Sequence, residues 1–330
     1  MPDIWDEHKK LYHYTNWDGL LGILKSKSLW ATHYRFLNDS SEFTFFGNRL
    51  ISLLEGVVDD EYERLRGKKS RAGRRSGPSA DPNSFATNFV NILVSSHYKV
   101  TEREVYIASF CGEHKESPYV QDNGLLSQWR AYGPGGGFAL VFDTRKLWDL
   151  LALEAKRFPA DGIHLSTCVY SDDEDTFERE FSEQIGTLAE NAKRFVGLAL
   201  NRKLNEHDQT ALYEETLWPF VFCCSRYKHC GFKEENEVRV VIAPAPFEAI
   251  KDGITSIARQ SRYRNGQCTP YVSLFESSEI TSAVERVIVG PCKDKMSRAA
   301  AVRVILGATH IEVTCSDIPF VGQPNGTGAD

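Results

Sequence analysis

Residues 237–244, EVRVVIAP, carry the reading from which the fold follows. Val238, Val240, Val241 and Ile242 are β-branched and apolar, the composition of a core strand, and Pro244 ends the run. Alternation along such a strand and its lead-in puts Glu235, Glu237 and Arg239 on one face. Similar runs flank it downstream at 269–275 (TPYVSLF), 285–291 (ERVIVGP) and 310–315 (HIEVTC). Upstream stand LYHYT (11–15), LWAT (29–32), EVYIASFC (104–111) and GFALVFD (137–143), the last apolar enough to be covered on both faces.

Helical patterns fall between these runs at uneven intervals. In WDGLLGILKS (17–26), Trp17, Leu20, Leu21 and Leu24 recur at i, i+3, i+4 and i+7, with Thr15 or Asn16 placed to cap. Further helices are expected from Ser41 to about Leu54, around Phe85–Leu93, from Thr144, through a long insertion at about 173–227, and over Met296–Ile305. Strands that come singly and in pairs between unequal helices, with no repeat period, indicate an α+β fold with a mixed, mostly antiparallel central sheet. Residues 1–320 are read as a single catalytic-type domain containing a basic loop at about 64–82 and the helical insertion, and 321–330 as a flexible tail.

Composition narrows the function. The chain has 330 residues, 42% of them apolar, and a formal charge of −6. It contains no apolar run of the roughly 18 residues a membrane helix needs, and its first ten residues are too charged for a signal peptide, so a soluble cytoplasmic protein with no membrane partner is expected. Its eight cysteines are scattered through apolar runs, as reduced core thiols are. Cys223, Cys224 and Cys230 beside His229 lack the paired spacing of a zinc site, and no metal is expected. Between Arg64 and Arg75 the chain carries Arg64, Arg66, Lys68, Lys69, Arg71, Arg74 and Arg75 with no acidic residue, a mobile contact for a polyanion such as DNA or RNA.

Four clusters could carry chemistry. His13, Tyr14 and Thr15 end a strand where a helix begins, so unpaired backbone N–H groups can hold an anion or a ribose hydroxyl; the competing reading makes the first two edge residues and Thr15 a cap. Asn38, Asp39 and Glu42 form a polar turn, a common device for starting a helix. Gln128, Trp129 and Tyr132 precede a glycine-rich strand entry and suit either a nucleotide pocket or half-buried packing. Glu235, Glu237 and Arg239 are costly at the mouth of a core strand unless they pair with one another or serve a ligand.

Taken in order, LYHYT, GLLGIL, LWAT, FLNDSSEF, SFC, LLSQWRAYG, GFALVFD, FKEENEVR and VIVGP resemble the domain-of-unknown-function 2971 family, from about Leu11 to the final strand. That order of parts is similar to ADP-ribosyltransferase folds, including toxins that modify DNA. The resemblance implies an NAD-dependent enzyme of bacterial defence that transfers ADP-ribose to a macromolecule, and the basic run from Arg64 to Arg75 slightly favours nucleic acid over protein as the target. It makes His13 a contact to a ribose of NAD, with Tyr14 and Thr15 framing the dinucleotide. Asn38, Asp39, Gln128, Trp129, Tyr132 and Arg239 join them as dinucleotide contacts. Ser109 would support the catalytic Glu237, and Glu235 would activate the acceptor. The usual loop signature before the late Glu is missing, and the Asn38–Asp39 turn has no transferase counterpart.

Two other readings remain open. A metal-dependent nuclease would use Asp39, Glu235 and Glu237 around magnesium, but it would want a lysine where Arg239 stands. In a nucleotide sensor without turnover, Glu237 would serve folding alone.

Overall fold

The computed structural model describes residues 3–37, 42–71, 83–98, 104–133, 135–201, 206–245, 250–264, 266–276 and 279–319. The chain divides into two compact units, the first made of Met1–Leu37, Val105–Thr167 and Lys233–Asp330, the second of Asn38–Glu104 and Cys168–Phe232. Elements are numbered along the whole chain.

The first unit is a ten-stranded sheet with helices. Its strands are β1 (Lys10–Thr15), β2 (Leu29–His33), β3 (Tyr106–Gly112), β4 (Phe138–Asp143), β5 (Gly162–Thr167), β8 (Glu237–Ala243), β9 (Arg259–Arg264), β10 (Gln267–Leu274), β11 (Val284–Val289) and β12 (Glu312–Cys315). Its helices are α1 (Ile4–Glu7), α2 (Trp17–Ser26), α5 (Pro118–Asn123), α6 (Leu126–Tyr132), α7 (Thr144–Arg157) and α10 (Lys295–Leu306). The strands run β12-β11-β4-β1-β3-β2-β10-β9, and β8 followed by β5 builds outward from β3. Every pairing in this sheet is antiparallel except β11 with β12, so the expected mixed, mostly antiparallel α+β sheet is what forms. Asn16 caps α2 by accepting from the Gly19 N–H at 2.9 Å. Thr15 therefore does not provide the cap.

The order of the strands hides a fork. One edge of β3 is bonded to β8 from Tyr106 to Cys111. The opposite edge is shared: β1 takes Cys111 and Gly112, and β2 takes Tyr106 and Ile107. An edge has a single row of N–H and C=O groups, so two strands cannot both continue along it. β1 instead follows β4 as far as Thr15, and β2 follows β10 back to Leu29. The sheet therefore opens beside Ala108–Phe110, with α2 joining the two arms.

Alternation sorts the core onto two faces. Leu11, Phe110, Phe138, Leu140, Val238 and Val240 share one face. Tyr12, Tyr14, Cys111, Ala139, Val141 and Ile288 share the other, under Leu125 and Trp129. Trp129 is fully buried and donates its indole N–H to the Asn123 carbonyl at 2.9 Å. The ring fits because two neighbours are glycine: a Cβ at Gly124 would stand 2.6 Å from it and one at Gly290 2.8 Å.

The second unit holds α3 (Glu42–Arg71), α4 (Asn83–Tyr98), α8 (Glu174–Leu200) and α9 (Glu206–Cys224), with a two-strand parallel pair, β6 (Val169–Tyr170) and β7 (Tyr227–Lys228). Phe46 packs on Phe220 and Phe181, and Phe89 on Phe195. Helix α3 continues well past Leu54 because Val58 and Tyr62 are buried on its inner face, Glu61, Glu63 and Leu65 are good helix formers, and Arg64 pairs back to Glu61. The basic run thus begins on a helix and not in a loop: Arg64, Arg66, Lys68, Lys69 and Arg71 all lie within α3. Arg74, Arg75 and the tail lie outside the described residues. Helices α8 and α9 correspond to the expected helical insertion.

Replacing Trp129 by Ala is expected to lower stability by about 3–5 kcal/mol, read as an earlier midpoint in urea unfolding followed by circular dichroism.

Candidate functional site

β8 enters the sheet from a 3-10 stretch, Cys230–Glu235, through Asn236, whose φ of 43° breaks the extended run. Strand alternation therefore carries Glu237 and Arg239 but does not extend back to Glu235. Both carboxylate oxygens of Glu237 accept from Arg239, Nε to Oε1 at 2.8 Å and Nη2 to Oε2 at 2.9 Å. Both residues are buried. This two-point geometry is the strongest form an Arg–carboxylate contact takes. Across the ladder Glu237 faces Cys111, where burial first, and then the charges of Glu235, Glu237 and Glu234, push the thiol up to about 12. Cys111 is therefore a protonated core thiol and no nucleophile.

Ser109 on β3 stands directly opposite Arg239, so Ser109, Glu237 and Arg239 share one face of the sheet. On the fork side the Ser109 carbonyl is 3.0 Å from Nδ1 of His13. A carbonyl only accepts, so Nδ1 carries the proton. Burial holds His13 below its ordinary value, against the support of this hydrogen bond and with the Arg262 charge adding to the fall. The ring is accordingly neutral at pH 7, and its Nε2 is a bare acceptor. His13 lies on the Leu11 side of β1, tilted against Phe110, and thus on the face opposite Ser109, Glu237 and Arg239. At the fork His13 reaches the backbone carbonyl of Ser109, not its side chain.

The other arm supplies residues that sequence reasoning missed. Arg262 on β9 donates from Nη2 to Thr32 Oγ1 on β2 at 3.1 Å. Its guanidinium lies 4.9 Å from the Trp30 ring centre and 5.4 Å from that of Tyr271. β9 escaped notice because RQSRYR is polar throughout, as an edge strand can be. The usable signal was Asn265–Gly266, the dipeptide that favours a tight hairpin.

The remaining candidates are placed elsewhere. The Tyr14 hydroxyl accepts from the Leu125 N–H at 2.8 Å, and its ring meets Trp129 edge-on at 4.8 Å. Burial raises its proton affinity further. Gln128 and Trp129 are buried in α6, and Tyr132 is partly covered against the same cluster. Thr15 ends β1 on the His13 face, opposite Phe138. Asn38 and Asp39 lie outside the described residues, and Glu42 is buried at the start of α3. All eight cysteines are free thiols. Among the described residues, no group of three or more His, Cys, Asp or Glu side chains is arranged to hold a metal ion, and no helix is long and apolar enough to cross a membrane.

Residues 128–240 match the family model described as Protein of unknown function (DUF2971). The matched segment runs from α6 to the middle of β8, so Gln128, Trp129, Tyr132, Glu235, Glu237 and Arg239 fall inside it. His13, Tyr14, Thr15 and Ser109 fall outside, so the match is shorter than the span from Leu11 to the last strand over which the motifs resemble that family. No curated protein and no solved structure is matched by the chain.

Arg239→Ala is expected to cost about 3–5 kcal/mol in urea unfolding, because it strands a buried carboxylate, whereas the double change E237L/R239M lies much closer to the native midpoint. For His13 the folded-state pKa is depressed, so the unfolded chain takes the proton first. Its contribution to stability is complete above about pH 6.5 and declines as the pH falls below that value. Imidazole resonances followed by NMR should show His13 still neutral at a pH where exposed histidines are half protonated.

Proposed function

We propose that the first unit binds NAD at the sheet fork and transfers its ADP-ribose to a macromolecule. The observation that carries this reading is the meeting at β3 of an early histidine and a late glutamate strand: the Ser109 carbonyl holds His13, and Ser109 faces the Arg239–Glu237 pair across the ladder.

The donor set suits a dinucleotide. The bare Nε2 of His13 accepts from a ribose hydroxyl. Arg262 offers fixed positive charge to the pyrophosphate, and Trp30 and Tyr271 offer aromatic surface beside it. Breaking the nicotinamide–ribose bond sends the electron pair out with nicotinamide and leaves positive character on the ribose. The Glu237 carboxylate, oriented by Arg239, stabilises that charge. The acceptor then bonds to the ribose carbon and loses its proton to Glu235.

The buried two-point pairing of Glu237 favours a second reading, a nucleotide sensor in which the carboxylate serves folding. The two readings separate on nicotinamide release from NAD, measured with DNA, RNA and protein mixtures offered as acceptors. Under the transferase reading, wild type releases nicotinamide and Glu237→Gln, verified as folded, is slower by roughly 100 to 1,000-fold. NAD binding by calorimetry without release under any acceptor establishes the sensor.

A further inference from the structure

Helix α10 is apolar on both of its sides. The inner side is ordinary, since Ala299 and Val302 are buried in the core. The outermost line, where a surface helix usually carries charge, is Met296, Ala300 and Val304 at i, i+4 and i+8. Met296 is 67% exposed, Val304 83% and Ile305 43%, and Ala300 and Ala301 stand exposed between them. No other helix leaves more than one large apolar side chain so exposed among the described residues. The neighbouring arginines do not interrupt the line: Arg298 is turned to Asp294 and the Gly136 carbonyl, and Arg303 gives Nη2 to the Val313 carbonyl at 2.7 Å. The result is an uncharged apolar patch on the order of a few hundred Å², the extent at which a surface patch marks an interaction site.

The spacing of the ridge names its occupant. Met296 and Val304 lie four residues on either side of Ala300, so a second α10 laid antiparallel across Ala300 sets Met296 against Val304 twice, in the two-fold arrangement most homodimers adopt. Residues at i and i±4 form the ridge along which helices most often pack, and alanine at the crossing point lets the two backbones approach closely. Charge fits the same alignment. Lys293 lies seven residues before Ala300 and Gly307, which ends the helix, seven after, so Lys293 of each copy meets the C-terminal end of the other helix. That end carries carbonyls without intrahelical partners and attracts a cation. Lys293 is exposed and makes no hydrogen bond or ion pair among the described residues.

We infer that the outer face of α10 is the contact between two copies of this chain, antiparallel about Ala300. A stable dimer buries about 800 Å² on each partner, more than this ridge offers, so the association is weak and reverses on dilution. The inference is independent of the transferase reading.

Sedimentation velocity of the full chain from about 1 to 300 μM tests it, with a shift from monomer to dimer expected across that range. Val304→Glu puts an unpaired carboxylate into the contact and should weaken the dimer by roughly tenfold or more. Lys293→Glu should weaken it by roughly 2 to 5-fold through repulsion at the carbonyl end. Ala300→Cys should be trapped as a covalent dimer by mild oxidation well beyond wild type, whose eight free thiols are the control. Circular dichroism confirms that each variant is folded. Wild type that stays monomeric throughout overturns the proposal and leaves the ridge to a different partner. A dimer that Val304→Glu does not weaken, as one built on the outer edge of β12 would be, overturns it as well, and so does Ala300→Cys that cross-links no more than wild type. If Lys293→Glu changes nothing, the antiparallel alignment is overturned.

Discussion

Two strands compete for one edge of β3, and the arrangement of the first unit follows from that competition. β1 and β2 each bond a different end of the same row of backbone groups, and neither can occupy the middle without displacing the other. Each is held away by a longer ladder to another strand, β1 by β4 and β2 by β10. Separating the arms leaves backbone groups at Ala108–Phe110 outside both ladders, and such groups need partners when water is excluded. His13 supplies one to the Ser109 carbonyl. The polar side chain that makes the opening tolerable is thus the same one that gives it an acceptor nitrogen.

The Glu237–Arg239 pair is the second constraint. Taking both charges out of water is expensive, and fork-to-fork hydrogen bonding offsets much of that cost. The pair also fixes the carboxylate in one orientation, which a catalytic group requires and which a purely structural pair displays equally. Its meaning therefore rests on its surroundings: Ser109 across the ladder, and the fork one strand further on.

Much of the sheet was legible because its strands are apolar and β-branched, and period-two patterning reports burial directly. EVRVVIAP, GFALVFD and ERVIVGP all became strands, within the short boundary shifts that strand ends show. β9 was not legible, because an edge strand facing solvent has no apolar alternation to display. The length of α3 was missed for a different reason: a run of arginines and lysines reads as a solvated loop, yet those residues are good helix formers. In LLSQWRAYG the aromatic residues left a pocket wall and half-buried packing both open, because local sequence does not show what lies beside them, and Trp129 fills the core between glycines that leave room for it.

The sequence by itself determined the class of the fold, the free thiols and the presence of an early histidine and a late Glu-x-Arg on separate strands. Local propensity and charge act over a few residues, and those features are local. Tertiary structure decided the fork, the partners of His13 and Arg239, and the approach of Arg262 to Trp30 and Tyr271. Each of these depends on which strand lies beside which, a matter of long-range backbone pairing that short stretches of sequence do not encode.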